Sequence, residues 1–302
     1  MSHFTGSIPS VRADSQPLVS VGIPVYNRPE GLSRTLSCIT GQTYRNLEII
    51  LSDNASPGDE IEKVVREFMV VDPRIRYGRQ LENIGVSANF KFVLKQATGK
   101  YFMWAADDDE WDPRFVEVCV GLLEQGAVSS MTGFDTLYRA SGRRLPNKLP
   151  DLDPAMSCSR NFYRFLRRPT PSLFYGLHRR RALQFFVDDD RWFDYYDCYF
   201  VLKLITQGSI AIWPEVLYTA GVDAPTYQLK PADVKKGLSL KPFLRAVHTL
   251  LASDRFNAPE QYGLKMALLF FGVRSYLWYL NRLARGFITK GMIHSRGDKD
   301  AI

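Results

Sequence analysis

The chain has 302 residues, 45% hydrophobic and 24% charged, with a net charge of +7. That length suits one large domain or a domain plus an appendage, and the composition is ordinary for a soluble globular protein. Four cysteines (Cys38, Cys119, Cys158, Cys198) with no CxxC pair argue against a zinc site and fit reduced thiols in a cytosolic protein. The basic surplus suits phosphates, nucleic acid or anionic lipid heads, although solubility alone would account for it. The arginines accompany no nucleic-acid-binding motif, so no such partner is expected.

Residues 1–17 hold no apolar core segment and read as a loose tail rather than a signal peptide. "LVSVGIPVY" is β-rich and exits into the loop "YNRPEG". A helical pattern follows through Leu32, Leu36 and Ile39. "LEIILSDNASPGDE" is a second buried strand that breaks into a turn at Asn54–Gly58, and "IEKVVREFMVVD" carries Ile61, Val64, Val65 and Phe68 on one helical face. A short strand, "IRYGRQ", precedes a helix with Phe90, Val93, Leu94 and Ala97 on one face and Gly99 as its stop. "KYFMWAA" is the next strand and runs straight into Asp107, Asp108 and Asp109; Asp112 and Pro113 then start a helix.

The alternation to Gly126 predicts an α/β fold: a mostly parallel, doubly wound sheet with helices on both faces. Ligands bind such sheets at the carboxyl ends of the strands. Three polar clusters occupy those exits: Tyr26-Asn27-Arg28, Asp53-Asn54 and Asp107–Asp109. Beyond Gly126, "VSSMTGFDTLYRA" is strand-like. A Pro-Thr-Pro turn, a short strand and a helix follow within "NFYRFLRRPTPSLFYGLHRRRALQFF". "DYYDCYFVLKLITQGS" is a helix ending at Gly208, "IAIWPEVLYTAGV" reads as one or two strands, and the pattern from about Pro231 is helical. The apolar run "MALLFFGVRSYLWYL" is too short for a membrane span and is broken by Arg274.

Neither GxGxxG nor GxxxxGK[ST] occurs, so helix N-termini and glycines do not carry phosphates unaided. A divalent cation on carboxylates is the substitute, since Mg²⁺ is commonly held by one or two carboxylates plus water and substrate phosphates. Asp107–Asp109 qualify because they follow a strand. A second run, Asp188–Asp190, follows none and reads as a solvated turn.

In order and spacing, "VSVGIPVYNRPEG…SDNAS", "NIGVSANF", "ATGKY" and "WAADDDEW" resemble a family 2 glycosyltransferase with a GT-A fold. The likeness is strong over residues 18–125, weaker over 170–220 and absent from the tail. It implies a nucleotide-sugar donor, probe-worthy first as UDP-linked, an acceptor hydroxyl on a glycan or lipid-linked glycan, an inverting reaction in cell-surface polysaccharide or glycolipid synthesis, and Mn²⁺ or Mg²⁺. A non-catalytic nucleotide-sugar-binding protein is the alternative. By the same resemblance Pro24, Val25 and Tyr26, with Asn27 beside them, line the base pocket, and Asp53 accepts from a uracil-like imide N–H. Asn83 and Gly85 shape the floor near the ribose or diphosphate. Asp107 and Asp108 face the diphosphate, and Asp109 is first choice as metal ligand with Asp107 second; which two of the three act stays open.

The family's acidic pair at a helix start falls on Asp197, counted back from Gly208, with Asp194 as fallback; a carboxylate there serves as general base. A carboxylate favoured by the helix dipole is the plainer explanation of Asp197. Trp192 and Tyr195 suit a sugar ring or the core, and His178 reads as structural. Three departures stand out: Ala106 where many relatives carry an aspartate, Asn89-Phe90-Lys91 where they carry Ala-Arg-Asn, and no histidine after "VLY". The expected divisions are a tail (1–17), a nucleotide-sugar-binding half (18–126), an acceptor-side half of the same domain (127–228) and an α-helical C-terminal extension (229–302). The extension's apolar surfaces, interrupted by cations, suit packing on the domain or, alternatively, a peripheral contact with the inner face of a membrane; the protein is expected to be cytoplasmic.

Overall fold

The computed structural model describes residues 16–222 and 240–272. The expected tail before residue 16, the stretch after "VLYTAGV" and the end of the basic extension lie outside those residues.

The elements alternate as the sequence predicts up to the acidic run: β1 (Val19–Val25), α1 (Pro29–Thr40), β2 (Leu47–Asp53), α2 (Glu60–Val71), β3 (Ile75–Arg79), α3 (Val86–Gln96) and β4 (Tyr101–Trp104). β1 and β4 are buried along their whole length, which is why they read as unbroken apolar runs. Pro29 opens α1, where its fixed φ suits a helix start. After β4 come a two-residue strand β5 (Glu110–Trp111), α4 (Phe115–Glu124), β6 (Ser129–Tyr138), β7 (Arg143–Pro146) and α5 (Cys158–Arg167). A 3-10 turn (Pro171–Tyr175), β8 (Leu177–Arg179), a second 3-10 turn (Arg180–Leu183), α6 (Gln184–Asp188), α7 (Tyr196–Gln207), β9 (Ile210–Val222) and α8 (Leu240–Leu251) complete the named elements. A last helix, α9, is described over 258–272.

One mixed sheet holds the nine strands in the order β3-β2-β1-β4-β8-β6-β9-β5, with β7 paired to β6. β3, β2, β1 and β4 are mutually parallel; β8 is antiparallel to both β4 and β6, and β6 runs parallel to β9. The sequence predicts neither β5 nor α5. β5 exists only through its antiparallel pairing with Tyr218 and Thr219 of β9. α5 packs on α7 and buries Phe162, Phe165 and Leu166 together with Asn161, while Ser159, Arg160, Arg164 and Arg167 are not buried.

Beneath the strand exits lies an aromatic core centred on Trp104, whose ring is 4.6 Å from Phe174, 4.8 Å from Phe102 and 5.0 Å from Phe186. The Trp104 indole N–H donates to the Phe90 carbonyl at 3.0 Å, so this buried ring has its polar group satisfied. Burying rings of this size contributes about 1.5–3 kcal/mol each. That rigid floor fixes where β4 ends and therefore where the three aspartates emerge. α8 packs on α7, with Phe243 reaching Tyr195 and Phe271. Among the described residues no helix is long and apolar enough to cross a membrane.

Candidate active site

Two of the polar clusters adjoin at the ends of β1 and β2, because Val25 and Asp53 are register partners. Pro24 and Val25 lie within β1. Asn27 adopts the left-handed region (φ 54°), which turns the chain so that its N–H donates to Ser56 Oγ at 2.8 Å. Asp53 is fully buried. It accepts from the Ser56 N–H at 2.9 Å and the Tyr77 hydroxyl at 3.2 Å, and Arg79 Nε stands 3.6 Å away. Burial, with Asp53 beside it, pushes the Tyr77 phenol up to about 12. Tyr26 and Asn27 are the exposed members of the group. Asn54 ties in the 83–85 turn: its amide donates to Asn83 Oδ1 at 3.0 Å, and its own Oδ1 accepts from the Ile84 N–H at 2.9 Å. Gly85 (φ 85°) then caps α3 with a backbone that side chains rarely adopt.

The acidic loop finds its cation in the first cluster. Arg28 Nη1 lies 2.8 Å from Asp107 and 3.2 Å from Asp108. Even so, burial pushes the Asp107 carboxyl up to about 7, the Arg28 charge offsetting only part of that cost. Asp109 points the other way. It accepts from the Tyr218 hydroxyl and, at 2.8 Å, from the Gly221 N–H of β9, and burial together with the Asp108 charge pushes it up to about 8. The loop backbone is gripped from both sides. Thr35 Oγ1 of α1 donates to the Ala106 carbonyl at 2.8 Å, and Arg139 Nη2 donates to the Asp108 carbonyl at 2.8 Å. Gly31 of α1 and Gly221 of β9 face the Asp107 and Asp108 carbonyls so closely that neither leaves room for a Cβ.

A cleft of about 670 Å³ joins this loop to the start of α7. Asp108, Asp109 and Tyr218 line one part of it; Trp192, Asp194 and Asp197 line another. Asp197 sits in the first turn of α7, and Tyr195 in the left-handed region (φ 67°) sets the entry to that helix. Burial raises the Asp197 carboxyl above its ordinary range, while the Cys198 N–H, donating at 2.7 Å, works against that. Trp192 is half exposed and stacks on Tyr196 with centroids 5.1 Å apart; Tyr195 packs towards Phe243 and Phe271.

The fold thus brings Asp108, Asp109, Asp194 and Asp197 to one cleft, and sets Pro24–Asn27, Asp53, Asn83 and Gly85 beside it through the Arg28–Asp107 pair. The second acid run is not a solvated turn throughout. Asp190 is exposed, but Asp189 is tied to Arg191 at 2.7 Å and to the Tyr196 hydroxyl at 3.2 Å. Lys91 of α3 donates to the Asp189 carbonyl at 2.6 Å and ties this segment to that helix. His178 is buried between Ser129 Oγ (2.8 Å from Nδ1) and the Phe174 carbonyl (3.0 Å from Nε2), and burial lowers it to about 4, so it is a structural, neutral imidazole. Tyr218, Arg139, Gly31 and Gly221 carry no local sequence signal; each matters only through a partner far along the chain.

Among the described residues no three His, Cys, Asp or Glu side chains converge to cage a metal. The donor set suits instead a hard cation whose shell comes mainly from water and a diphosphate, with one or two protein carboxylates. Of the three carboxylates, Asp107 and Asp108 share the Arg28 guanidinium, whereas Asp109 is held by the Tyr218 hydroxyl and the Gly221 N–H.

Residues 20–192 match the family model described as Glycosyl transferase family 2. An uncharacterized glycosyltransferase of Rickettsia bellii is 33% identical over 110 residues, 36% of this chain but only 15% of that protein. The match therefore spans a small part of such relatives. Among solved structures, S. aureus TarS 1-349 in complex with UDP-GlcNAc aligns with a TM-score of 0.64 at 16% identity, covering 83% of this chain and 71% of that one. The mannosyltransferase PcManGT from Pyrobaculum calidifontis, in complex with GDP-Man and Mn²⁺, aligns with a TM-score of 0.53 at 18% identity, covering 91% and 81%. At these identities the structures establish a shared fold.

Proposed function

This chain belongs to glycosyl transferase family 2, and on that premise we propose that it moves a sugar from a nucleotide diphosphate donor, UDP-linked, to an acceptor hydroxyl on a glycan or lipid-linked glycan, with inversion. The observation that carries the proposal is the single cleft where the acidic loop after β4 meets the Asp194–Asp197 segment of α7. An acid-rich strand exit and a separate carboxylate are what donor activation and acceptor deprotonation respectively require. TarS with UDP-GlcNAc and PcManGT with GDP-Man and Mn²⁺ support the donor class.

In this reading Tyr26, Asn27 and Asp53 hold the base, and Asn83 with Gly85 bounds the ribose side. Asp107 and Asp108, rather than the Asp109 and Asp107 expected from the sequence, would hold a Mn²⁺ or Mg²⁺ ion, because Asp109 is already engaged by Tyr218 and Gly221; the ion would neutralise charge on the leaving diphosphate. Asp109, bonded to Tyr218 and Gly221, fixes the loop that presents them. Asp197 accepts the acceptor hydroxyl proton as that oxygen attacks the anomeric carbon; the carbon–phosphate-oxygen bond breaks and the nucleoside diphosphate leaves with the electron pair. Burial strengthens Asp197 as a base, because its raised proton affinity moves it towards the operating pH. Asp194 is the next candidate. The halves 18–126 and 127–228 divide the labour as donor and acceptor sides of one domain, at the cytoplasmic face of a membrane.

A donor-hydrolysis screen across UDP-, GDP- and dTDP-sugars with Mn²⁺ tests this. Hydrolysis of a UDP-sugar that Asp107→Asn abolishes is expected. Preference for a GDP-sugar would overturn the donor assignment, and UDP binding without turnover of any donor or acceptor would favour the non-catalytic binder.

A further inference from the structure

Beyond the Trp192 wall of the cleft lies a second cavity, of about 610 Å³. Arg191, Trp192 and Phe193 line one side; Lys241, Arg245 and Thr249 of α8 line the other. Trp192 and Phe193 line both cavities, so the two adjoin across these rings. We propose that the second cavity is an acceptor subsite that takes a phosphate group carried by the glycan, with Trp192 supporting a sugar ring between that phosphate and Asp197. The proposal rests on the glycosyl-transfer reading and deepens it by giving the acceptor its chemical class.

Three observations carry it. First, the lining is cationic and contains no carboxylate. Arg191 is already neutralised: its Nε and Nη2 engage Asp189 at 2.7 and 2.9 Å, and Nη2 also meets the Tyr199 hydroxyl at 3.0 Å. Lys241 and Arg245 form no ion pair among the described residues and stand one helical turn apart, so they add two positive charges on one face of α8. Second, the charge lines a cavity, next to an aromatic shelf. Trp192 is 49% exposed although its other face stacks on Tyr196; a planar, half-exposed indole beside cations suits a ring bearing an anion. Third, the site is separate from the diphosphate position proposed for the donor: Lys241 and Arg245 line the second cavity and not the first, whereas Asp108 and Asp109 line only the first. An anion there lies off the diphosphate position proposed for the donor, as a phosphate on the acceptor would. Guanidinium and ammonium donors bind phosphate by charge-assisted hydrogen bonds, Arg as a fork and Lys as a point charge.

The test uses the full chain and the double variant Lys241→Ala/Arg245→Ala. Both side chains are exposed, and unchanged UDP affinity confirms that the variant is folded. Ligand-observed NMR compares glucose 6-phosphate, glucose and inorganic phosphate as probes, and flotation measures binding to phosphatidylglycerol vesicles. Expected is binding of glucose 6-phosphate stronger than of either glucose or inorganic phosphate, weakened about tenfold in the double variant and weakened by salt between about 50 and 300 mM. Trp192→Ala should weaken glucose 6-phosphate while leaving inorganic phosphate bound. Equal affinity for glucose 6-phosphate and inorganic phosphate, or no effect of the double variant, overturns the subsite. Vesicle binding lost in the double variant, with glucose 6-phosphate unaffected, overturns it in favour of a membrane contact. If a UDP-sugar is hydrolysed but no sugar phosphate binds, the subsite fails and the donor reading stands; the reverse pattern sinks the donor reading alone.

Discussion

Replacing Gly31 by alanine tests whether the acidic loop is held in place by close backbone packing. Gly31 lies in α1, where alanine is the better helix former by about 1 kcal/mol. Propensity alone therefore predicts a more stable protein. The structure predicts the reverse. A Cβ at Gly31 would overlap the Asp107 carbonyl oxygen, well inside the 3.0 Å that real Cβ atoms respect. Relief requires the Asp107 backbone to retreat by roughly 1 Å, a displacement that can cost about 10²-fold in rate when it moves a reacting constellation. Overpacking of this kind costs about 1–3 kcal/mol, which exceeds or cancels the propensity gain. Gly263 is the control: it also lies in a helix, but a Cβ there meets nothing within 4 Å. Gly263→Ala should raise stability by about 1 kcal/mol and leave turnover alone. Urea unfolding and UDP-sugar hydrolysis on both variants decide the matter. If Gly31→Ala is as stable and as active as Gly263→Ala, the loop is not clamped and the account of its positioning is wrong.

Asp197→Asn keeps the side-chain volume and removes the charge, so UDP affinity should hold while transfer falls by about 10²–10⁴-fold; transfer within a few-fold of the parent would move the base to Asp194. Asp53→Asn should weaken UDP binding by calorimetry, since a charge-assisted hydrogen bond to an imide is worth about 1.5–3 kcal/mol, and unchanged affinity would remove Asp53 from the base pocket. His178 gives a pH signature. Its folded proton affinity is depressed to about 4, so above its ordinary value of 6.5 both states are neutral and stability is full. As pH falls from 6.5 to about 4 only the unfolded chain takes up the proton, which removes about 3 kcal/mol. Asp107 and Asp109, raised to about 7 and 8, act in the opposite sense, favouring the folded state on acidification. The measurement is therefore the difference in stability between the parent and His178→Gln across pH 4–7; a gap that does not narrow towards acid would refute the assignment.

Most of the architecture was legible because it is locally encoded. β1 and β4 are continuous apolar runs, α1 begins on proline, and α7 ends at Gly208, so neighbours in sequence announce each element. The position of the acidic run after β4 was equally plain, since a strand that ends at a sheet's carboxyl edge exposes whatever follows it. α5 escaped notice because its charged residues mask the buried stripe of Phe162, Phe165 and Leu166.

What the tertiary structure decided is the partnership of charges. Nothing near Asp107 in sequence says that Arg28 will sit on it, 79 residues away, nor that Asp109 will turn to Tyr218 and Gly221, 109 and 112 residues away. β5 likewise exists only because β9 passes beside it. Three adjacent aspartates look alike in a sequence; the strand order that carries β9 to one side of their loop and α1 to the other gives each a different environment. Periodicity depends on residues a turn or a pleat apart, so sequence alone determined which elements form. Burial and partnership depend on whatever the chain folds against, so only the assembled sheet determined which group each of those carboxylates faces.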